Sequence, residues 1–427
     1  MGVKITIPHI HKIEGEAGFW AEVSKKGEIK GLRIEVLEGL RQIEGILIGR
    51  RVQDVPTVVS RICGICPVVH ILNACLAVEK ALEIKVSSLT VLLRKLFLVS
   101  QIIQSHALHL FFNTLADFFD IENDLDLMKK FPKESKVALQ IRDFALKITQ
   151  IIGGRKVHPL RAQIGGFTKL PEKKELQTIL NELPFILDSS QVLVKTFKNL
   201  SYPQIEREQI FTSLFSEKEY PFYQTNYILV DEEKLTAANF YSNKIEEDLK
   251  TPPVKRVRYK EMSYMLGAMA RIKNNFQFLS PLAKEHFEDF KKIQSVSDAE
   301  FFQNTFYNLF SQIVEVVNFL EIVDGLIKEI LKYDLKETKK EFKISKGSGL
   351  SAMEAPRGTL FTYFELDKTG RILNCNIITP TAQFLSNLEE DLKILLPEII
   401  NLPDAKRKRR IRSLIRAYDP CISCAIH

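Results

Sequence analysis

Two pairs of cysteines, one near each end of the chain, constrain the fold more than any other feature of this sequence. Each pair has the spacing C-x-x-C and is followed by a histidine, as in Cys63-Gly-Ile-Cys66 with His70 and Cys421-Ile-Ser-Cys424 with His427. A C-x-x-C turn directs two sulfurs into one small volume, so two such turns can surround a metal with four thiolates. We therefore expect the two ends of this 427-residue chain to meet.

The spacing alone leaves two kinds of metal site open. A structural zinc site, which closes tetrahedrally on four cysteines, is the simpler interpretation. However, zinc ribbons pair their cysteines within a short stretch of chain, and each pair here also carries an extra histidine. The chain is in addition large enough to fold without a metal. Four soft thiolates equally suit nickel or iron chemistry.

The composition favours a cytoplasmic globular protein. Sixty Lys and Arg against 53 Asp and Glu give a net charge of +7, an excess too mild to imply nucleic acid by itself. Six cysteines are too few for a disulfide scaffold. No apolar stretch approaches the roughly 18 residues that span a bilayer, and the N-terminus lacks the pattern of a secretory signal. We expect neither a nucleic-acid partner nor a membrane span.

Hydrophobic periodicity predicts a mainly α (α+β) fold, a large helical bundle flanked by small antiparallel β-sheets. The β region covers residues 1–40, with strands at Ala17–Val23 and Ile29–Leu37. A second hairpin is expected at Leu360–Ile378, and residues 217–253 are expected to be an irregular surface excursion. The predicted helices are Ser88–Phe118, Ser135–Ile152, Glu172–Leu200, Ala299–Tyr333 and Asn387–Ile400.

The two cysteine motifs, R-x-C-G-x-C-x-x-x-H and D-P-C-x-x-C-x-x-H, resemble the signatures of the [NiFe]-hydrogenase large subunit. Further segments resemble this family in the same order: His11 to Gly15, with Lys12 and Glu16 as departures, Arg41 to Glu44, Glu354 to Gly358, and Ile377 to Thr381. Others, such as Gln104 to His109 and Gly153 to Pro159, are similar to its cytoplasmic, multi-subunit branch. The resemblance covers essentially the whole chain, which implies one large-subunit domain over residues 1–427.

The resemblance implies a catalytic subunit that cleaves H2 reversibly into protons and electrons at a nickel–iron pair, with CO and CN ligands on the iron. Cys63 and Cys421 would be terminal nickel ligands, and Cys66 and Cys424 would bridge nickel and iron. A terminal sulfur such as that of Cys421 can accept a proton. Glu14 matches the glutamate that relays this proton, since a carboxyl near a dry metal site tends to have a raised pKa.

Arg357 matches a guanidinium suspended over the metals, where a fixed cation can polarise H2 or donate a hydrogen bond to an iron ligand. An aspartate that accompanies this arginine in many members of the family aligns with Ser105, so its contribution is missing here. Glu44, the carbonyl of Ile377 and His427 match a second site for Mg²⁺ or Fe²⁺, which would hold the C-terminal tail.

Five further side chains are expected to support the site without binding metal. His70 would orient a bridging sulfur, Asp419 and Arg416 would clamp the tail as an ion pair, and Thr381 and Ser105 lie in matching segments. His106 and His109 are expected to be hydrogen-bonded core histidines, and Cys75 and Cys375 buried thiols. The basic run Lys406–Arg410 is interpreted as a solvated helix face rather than a nucleic-acid patch.

Electrons need a partner to leave this chain. Once four cysteines hold the metal pair, two remain, too few for an iron–sulfur cluster bound by four cysteines, and no dinucleotide fingerprint is present. The resemblance implies a small subunit that carries iron–sulfur clusters, together with further electron-transfer subunits. Three alternatives stay open: a hydrogen sensor with little turnover, a scaffold subunit of a respiratory-type complex, and a zinc-stapled protein.

Overall fold

The computed structural model describes residues 3–24, 28–248, 254–336 and 339–427. At the N-terminus, strands β1 (Val3–Ile7), β2 (Ala17–Val23) and β3 (Ile29–Val36) form an antiparallel sheet in that order. The last two strands agree with the predicted ones. Their alternating pattern turns one face, including the fully buried Phe19, toward the rest of the chain.

Fifteen α-helices of the described residues form most of the structure. The first eight are α1 (Ile43–Leu47), α2 (Val55–Val59), α3 (Pro67–Ala81), α4 (Ser88–Leu108), α5 (Asp124–Lys130), α6 (Pro132–Gly153), α7 (Lys173–Lys198) and α8 (Ala237–Asn243). The others are α9 (Ala268–Asn275), α10 (Pro281–Gln294), α11 (Asp298–Gln303), α12 (Asn308–Ile330), α13 (Pro380–Ile399), α14 (Asp404–Ala417) and α15 (Ile422–Ala425). α4 lies at the centre of the bundle, against α6 and α12.

The predicted helices are present, but three have different bounds. The helix expected to reach Phe118 leaves α-helical geometry after Leu108 and continues as a π-helix, His109–Thr114, and a 3₁₀ turn. The stretch expected at Ala299–Tyr333 is divided at Asn304, whose extended backbone separates α11 from the turn before α12. Helix α13 begins earlier than expected, with Pro380 in its first turn, where a proline costs no hydrogen bond.

A second antiparallel sheet contains the predicted hairpin and one strand before it. Its strands are β12 (Gly347–Ala355), β13 (Gly358–Leu366) and β14 (Ile372–Ile378), in that order. The sheet packs on α3. A Cβ at Gly349 would lie 2.0 Å from the carbonyl oxygen of Ala77, so glycine is required for this close approach.

The expectation of an irregular excursion at residues 217–253 was wrong for most of that segment. It contains β7 (Tyr227–Val230), β8 (Glu233–Thr236), α8 and β9 (Lys244–Asp248), whereas residues 249–253 lie outside the described part of the chain. Tyr220, Phe222 and Tyr223 are buried. These aromatic side chains anchor the segment in the core, although its average polarity predicts a surface loop.

The remaining short strands complete the described sheets. They are β4 (Ala162–Gln163), β5 (Gly166–Phe167), β6 (Ile210–Phe215), β10 (Lys255–Tyr259) and β11 (Tyr264–Met265). One cluster of buried apolar residues extends from Ile5 to Ile426, so the C-terminal tail belongs to the same core as the first strand. Among the described helices, none combines the length and the apolar character needed to cross a bilayer.

Candidate metal centre

The structure brings the four cysteines of the two motifs together. The Cys63 and Cys421 sulfurs are 3.7 Å apart, and the Cys66 and Cys424 sulfurs 3.3 Å. All four sulfurs lie within 4.8 Å of one another, and each cysteine is buried. Cys66 and Cys421 stand directly before α3 and α15. Each motif thus contributes one sulfur from its first cysteine and one from its second to a compact, dry cluster.

The cluster as it stands does not favour four thiolates. Burial opposes ionisation of Cys63, but hydrogen bonds from the other three thiols and the charge of Arg357 hold its pKa well below the usual value. Burial raises the pKa of Cys66, Cys421 and Cys424. Burial therefore opposes the ionisation of three of the four sulfurs, and a bound cation would favour it.

The C-terminal motif is held beside the N-terminal strand region by backbone contacts. The amide of Ile422 donates to the carbonyl oxygen of Glu14 at 2.7 Å, and the amide of Cys421 donates to Thr381 Oγ1 at 3.0 Å. Gly15 has a φ of +84°, and a Cβ there would lie 2.7 Å from the amide nitrogen of Ser423. Only glycine allows this approach of strand and tail.

Arg41 belongs to one of the sequence motifs, but no role for it was predicted from the sequence. Its guanidinium donates to the carbonyl oxygens of Arg61, Ile62 and Ser423. Its amide also donates to the carbonyl oxygen of Ile426 at 3.0 Å. Arg41 therefore ties the segment before the first cysteine pair to the tail that contains the second pair.

Arg357 lies over the sulfurs with part of its guanidinium unpaired. Its Nε donates to the carbonyl oxygen of Asp419 at 2.6 Å and its Nη2 to Asp419 Oδ1 at 2.9 Å. Its Nη1 is buried and has no hydrogen-bond partner among the described residues. The residue lines a small cavity together with Cys66, His70, Ala355, Pro356, Leu360, Pro380, Thr381, Cys421 and Cys424. A buried N–H donor without a partner, at a cavity lined by cysteines, indicates that a ligand binds there.

The expected ion pair between Asp419 and Arg416 is absent, and each residue has another partner. Arg416 Nη1 lies 2.5 Å from Asp117 Oδ1, and its Nε donates to the carbonyl oxygen of His11 at 2.9 Å. Asp419 has a left-handed backbone with a φ of 54°, which turns its carboxylate toward Arg357. The tail is clamped electrostatically, but by two separate pairs.

Two of the residues that were predicted to support the site, Thr381 and His70, line the cavity. Thr381 accepts the Cys421 amide, as described above. Burial lowers the pKa of His70 to about 4, so its imidazole is neutral; its orienting role stays a prediction. Ser105 is buried, and its hydroxyl has no partner within the described residues. The carboxylate that pairs with Arg357 is that of Asp419.

Glu14 lies at the half-buried edge of the sulfur cluster. Burial first, and then the charge of Cys63, raise its pKa from 4.5 to about 7, although Arg357 opposes the shift. A carboxyl with this pKa gains and loses a proton near neutral pH, as a proton carrier must.

Glu44, Ile377 and His427 meet beside the C-terminal tail. His427 Nε2 lies 2.9 Å from the carbonyl oxygen of Ile377 and 3.5 Å from Glu44 Oε1. Its Nδ1 lies 2.6 Å from the carbonyl oxygen of Cys424 and must donate to it. An imidazole nitrogen, a peptide carbonyl oxygen and a carboxylate oxygen thus meet here, a set of donor atoms that a cation could bind.

Lys255 is a neighbour of this second site to which no sequence pattern pointed. Its Nζ lies 3.1 Å from Glu44 Oε1 and 2.8 Å from Asn376 Oδ1. Burial opposes ionisation of Glu44, yet His427 and then Lys255 lower the pKa of its carboxyl to about 2. Glu44 is therefore ionised at neutral pH and available to a cation.

The residues interpreted as structural lie apart from the sulfur cluster. His106 Nε2 is 2.9 Å from Glu315 Oε2, and His109 lies 2.7 Å from Gln312 and 2.8 Å from the carbonyl oxygen of Arg416, so both are hydrogen-bonded core histidines. Cys75 and Cys375 are buried free thiols. The basic run Lys406–Arg410 belongs to α14, with Lys406 and Arg410 exposed.

Comparisons with known proteins agree on one family. The family described as nickel-dependent hydrogenase matches residues 41–138 and 185–427. The chain is 31% identical to the alpha subunit of sulfhydrogenase 1 from Pyrococcus furiosus, over 99% of this chain and 97% of that protein. It is 29% identical to the alpha subunit of sulfhydrogenase 2 from the same organism, over 99% and 98%.

Solved structures share the fold. A chain of an NAD⁺-reducing [NiFe]-hydrogenase in the H2-reduced state superposes with a TM-score of 0.88 at 21% identity, covering 100% of this chain and 99% of that one. A chain of the [NiFeSe] hydrogenase from Desulfovibrio vulgaris Hildenborough gives a TM-score of 0.82 at 22% identity, with the same coverage. These matches confirm the predicted fold class, a helical bundle with small sheets.

Proposed function

Because the chain belongs to the nickel-dependent hydrogenase family, we propose that its four buried cysteines hold a nickel–iron pair and that Glu14 and Arg357 assist the cleavage of H2. The protein is the catalytic subunit of a hydrogenase. The observation that carries the proposal is the convergence of four sulfurs within 4.8 Å beneath a guanidinium with an unpaired nitrogen. A closed zinc site would use the thiolates but would leave this donor without a purpose.

The two sulfur pairs support different roles. Cys63 and Cys421, the first cysteine of each motif, would bind nickel alone, and Cys66 and Cys424 would bridge nickel and iron. Cys63 is the thiol whose pKa is held low, and Cys421 is backbone-linked to Glu14 through Ile422. A terminal sulfur at Cys421 is thus well placed to exchange a proton with that carboxyl.

When bound, the metal pair supplies the electrophilic centre at which H2 is split and through which its two electrons leave. Arg357 directs Nη1 into the cavity because Asp419 holds its Nε and Nη2. A fixed donor in a dry cavity stabilises charge or binds a small iron ligand such as CO or CN without reorganising. The cavity is small and lined mostly by apolar and sulfur-bearing side chains, so it excludes bulk water from this step.

The proton leaves through Glu14. Its pKa of about 7 lets it accept a proton from a sulfur and release it toward solvent within the physiological pH range. Glu38 and Ser423 lie beside it: Ser423 Oγ is 3.3 Å from Glu38 Oε1, and that oxygen accepts the amide of Glu16 at 2.9 Å. These side chains keep the surroundings of Glu14 polar toward the surface.

A divalent cation, Mg²⁺ or Fe²⁺, would bind at Glu44 Oε1, the carbonyl oxygen of Ile377 and His427 Nε2. Two oxygens and one imidazole nitrogen suit a hard or borderline cation. Because His427 follows the second cysteine pair directly, the cation would hold the tail and, with it, Cys421 and Cys424.

The partner would be an iron–sulfur subunit that docks over the first cysteine motif. Gly64, next to Cys63, is exposed, so the path from the sulfur cluster to the surface is short here. Large apolar side chains are exposed in the segment before this motif, namely Leu37, Leu40, Ile46 and Ile48, and at Leu373 of β14. Exposed apolar patches of this kind mark protein interfaces. We place the complex in the cytoplasm.

Metal analysis and turnover test this function together. The chain, purified with its co-expressed subunits, should contain about one nickel per chain and should reduce a viologen dye with H2. Zinc without nickel would refute the metal assignment. Nickel at full occupancy with negligible turnover would instead identify a hydrogen sensor.

A further inference from the structure

Arg357 lies in a turn that the hairpin alone does not stabilise well. Strands β12 and β13 pair up to Ala355 and Gly358, so Pro356 and Arg357 form a two-residue hairpin loop. The turns that suit such loops need a positive φ at the first central residue, which proline cannot adopt. Arg357 also has no positive φ. The geometry of this turn therefore depends on contacts from outside the hairpin.

Arg271 of α9 supplies these contacts. Its Nη1 donates to the carbonyl oxygen of Ala355 at 2.9 Å, and its Nη2 donates to the carbonyl oxygen of Pro356 at 3.0 Å. These are the two peptide carbonyls directly before Arg357. Arg271 is fully buried and touches none of the four cysteines by hydrogen bond.

Two buried carboxylates fix the plane of the Arg271 guanidinium. Nε and Nη2 each lie 2.6 Å from an oxygen of Glu315, and Nη1 lies 2.8 Å from Glu354 Oε2. All five N–H groups of the guanidinium are thus used. Glu315 is itself held by Tyr220 and His106. A buried guanidinium whose N–H groups are all paired in this way is rigid.

The start of α9 packs directly on the same turn. A Cβ at Gly267 would lie 3.2 Å from the carbonyl oxygen of Arg357, and one at Gly358 would lie 2.6 Å from Leu266 Cβ. Gly267 and Arg271 are one helical turn apart and joined by a backbone hydrogen bond. The helix therefore touches the turn at two points, and Arg271 provides the directional one.

We propose that Arg271 is a positioning residue, which fixes the Pro356–Arg357 turn and thereby directs the Arg357 guanidinium over the metal cavity. The proposal rests on the proposed function for its effect on H2 cleavage. Its structural part, the rigidity of the turn, can be tested independently. A lysine at position 271 would keep the positive charge but could not donate in one plane to two carbonyls and two carboxylates at once.

The test uses Arg271→Lys in the complete complex, with Arg94→Lys as the matched control. Arg94 is equally buried and makes a bidentate pair with Glu79, but its backbone contact is to Gln163, not to the Arg357 turn. We expect Arg271→Lys to slow H2 oxidation about tenfold or more with nickel content unchanged, since small displacements of a positioned group are costly. Arg94→Lys should leave the rate unchanged.

A double-variant cycle distinguishes positioning from general destabilisation. With Arg357→Ala there is no guanidinium to direct, so adding Arg271→Lys should change the remaining rate by less than about twofold. If Arg271→Lys lowers the rate by the same factor with and without Arg357→Ala, the proposal is overturned. Equal losses of rate in Arg271→Lys and Arg94→Lys would also overturn it.

Hydrogen exchange gives a readout that does not depend on turnover. Amides in the fragment 352–360 should exchange faster in Arg271→Lys than in wild type. In Arg94→Lys they should exchange at the wild-type rate. Unchanged exchange would overturn the proposal even if activity fell. If the variant shows faster exchange but the wild-type complex shows no H2 turnover, the proposed function is refuted and the structural role of Arg271 remains supported.

If Arg271→Lys does not accumulate, Glu315→Gln replaces it in the same cycle. This change removes one of the two acceptor oxygens that orient Arg271 and keeps the shape of the side chain. We expect Glu315→Gln to lower the rate less than Arg271→Lys does, and to have no effect on the rate when Arg357→Ala is also present. A loss of equal size in both backgrounds would contradict the role of Arg271.

Discussion

Replacing Glu14 with glutamine removes the proposed proton carrier while keeping the shape of the side chain. The pKa of Glu14 is about 7 because it is buried and close to Cys63. Such a carboxyl is about half ionised at pH 7 and about one-tenth ionised at pH 6. H2 oxidation needs the ionised form to accept a proton. The wild-type rate should therefore rise about fivefold between these two pH values wherever proton transfer limits it.

The assay follows exchange of H2 with deuterated water, and H2 oxidation with a dye, from about pH 5.5 to about pH 8.5. Glu14→Gln should retain nickel, lose about 10²- to 10⁴-fold in rate and lose the rise around neutral pH. Glu16→Gln is the matched control, because Glu16 is an exposed carboxylate of the same segment. Normal exchange in Glu14→Gln, or an equal loss in Glu16→Gln, would refute the proton route.

The same pKa predicts an effect on stability. Folded Glu14 binds more protons than unfolded Glu14 between pH 4.5 and about 7, so its contribution to the free energy of unfolding falls as the pH rises through this interval. The shift corresponds to about 3 kcal/mol, and about 1–2 kcal/mol remains after allowing for water at this half-buried side chain. Glu14→Gln should therefore be more stable than wild type at pH 8 and equally stable at pH 4.5 in denaturant titrations. Equal stability at both would contradict this.

Three further predictions follow from the site. Cys63→Ser or Cys421→Ser should abolish turnover and nickel retention but leave the circular dichroism spectrum unchanged, because the apolar core is large; global unfolding would favour a structural metal. A short uncleavable extension after His427, whose side chain is buried, should leave the tail open and the iron–sulfur subunit unbound; co-purification and normal activity would remove His427 from the ion site. Gly15→Ala should reduce metal retention, since its Cβ would lie 2.5 Å from Glu38 Oε1 at a φ of +84°, whereas Gly325→Ala, with nothing within 4 Å, should not; equal nickel content in both would show that the tail tolerates the displacement.

Local patterns were sufficient for most helices and for both hairpins. The apolar character of α4 on nearly all sides and the alternation of β2 and β3 are properties of short segments, because they reflect which side chains are buried. The end of α4 was not predictable in this way. His109 begins a π-helix where its ring contacts Gln312 and the carbonyl oxygen of Arg416, and both partners lie far away in the sequence.

The segment 217–253 is a second example in which the sequence pattern did not predict the structure. Its polarity predicted an irregular surface loop, because composition averages over a window. In the structure a few aromatic side chains, Tyr220, Phe222 and Tyr223, are inserted into the core. Burial of a few large residues is enough to order a segment whose average is polar.

The sequence by itself determined the candidate metal ligands, which are the four cysteines, the meeting of both ends of the chain at one site, and the family. Cysteine spacing and motif order are properties of the chain. Only the tertiary structure decided which charges act together. Asp419 pairs with Arg357 rather than with its sequence neighbour Arg416, and Arg271 reaches the turn before Arg357 from another helix. The physical reason is that a buried charge pairs with whichever group the fold brings within hydrogen-bond distance, and that distance has no counterpart in sequence spacing.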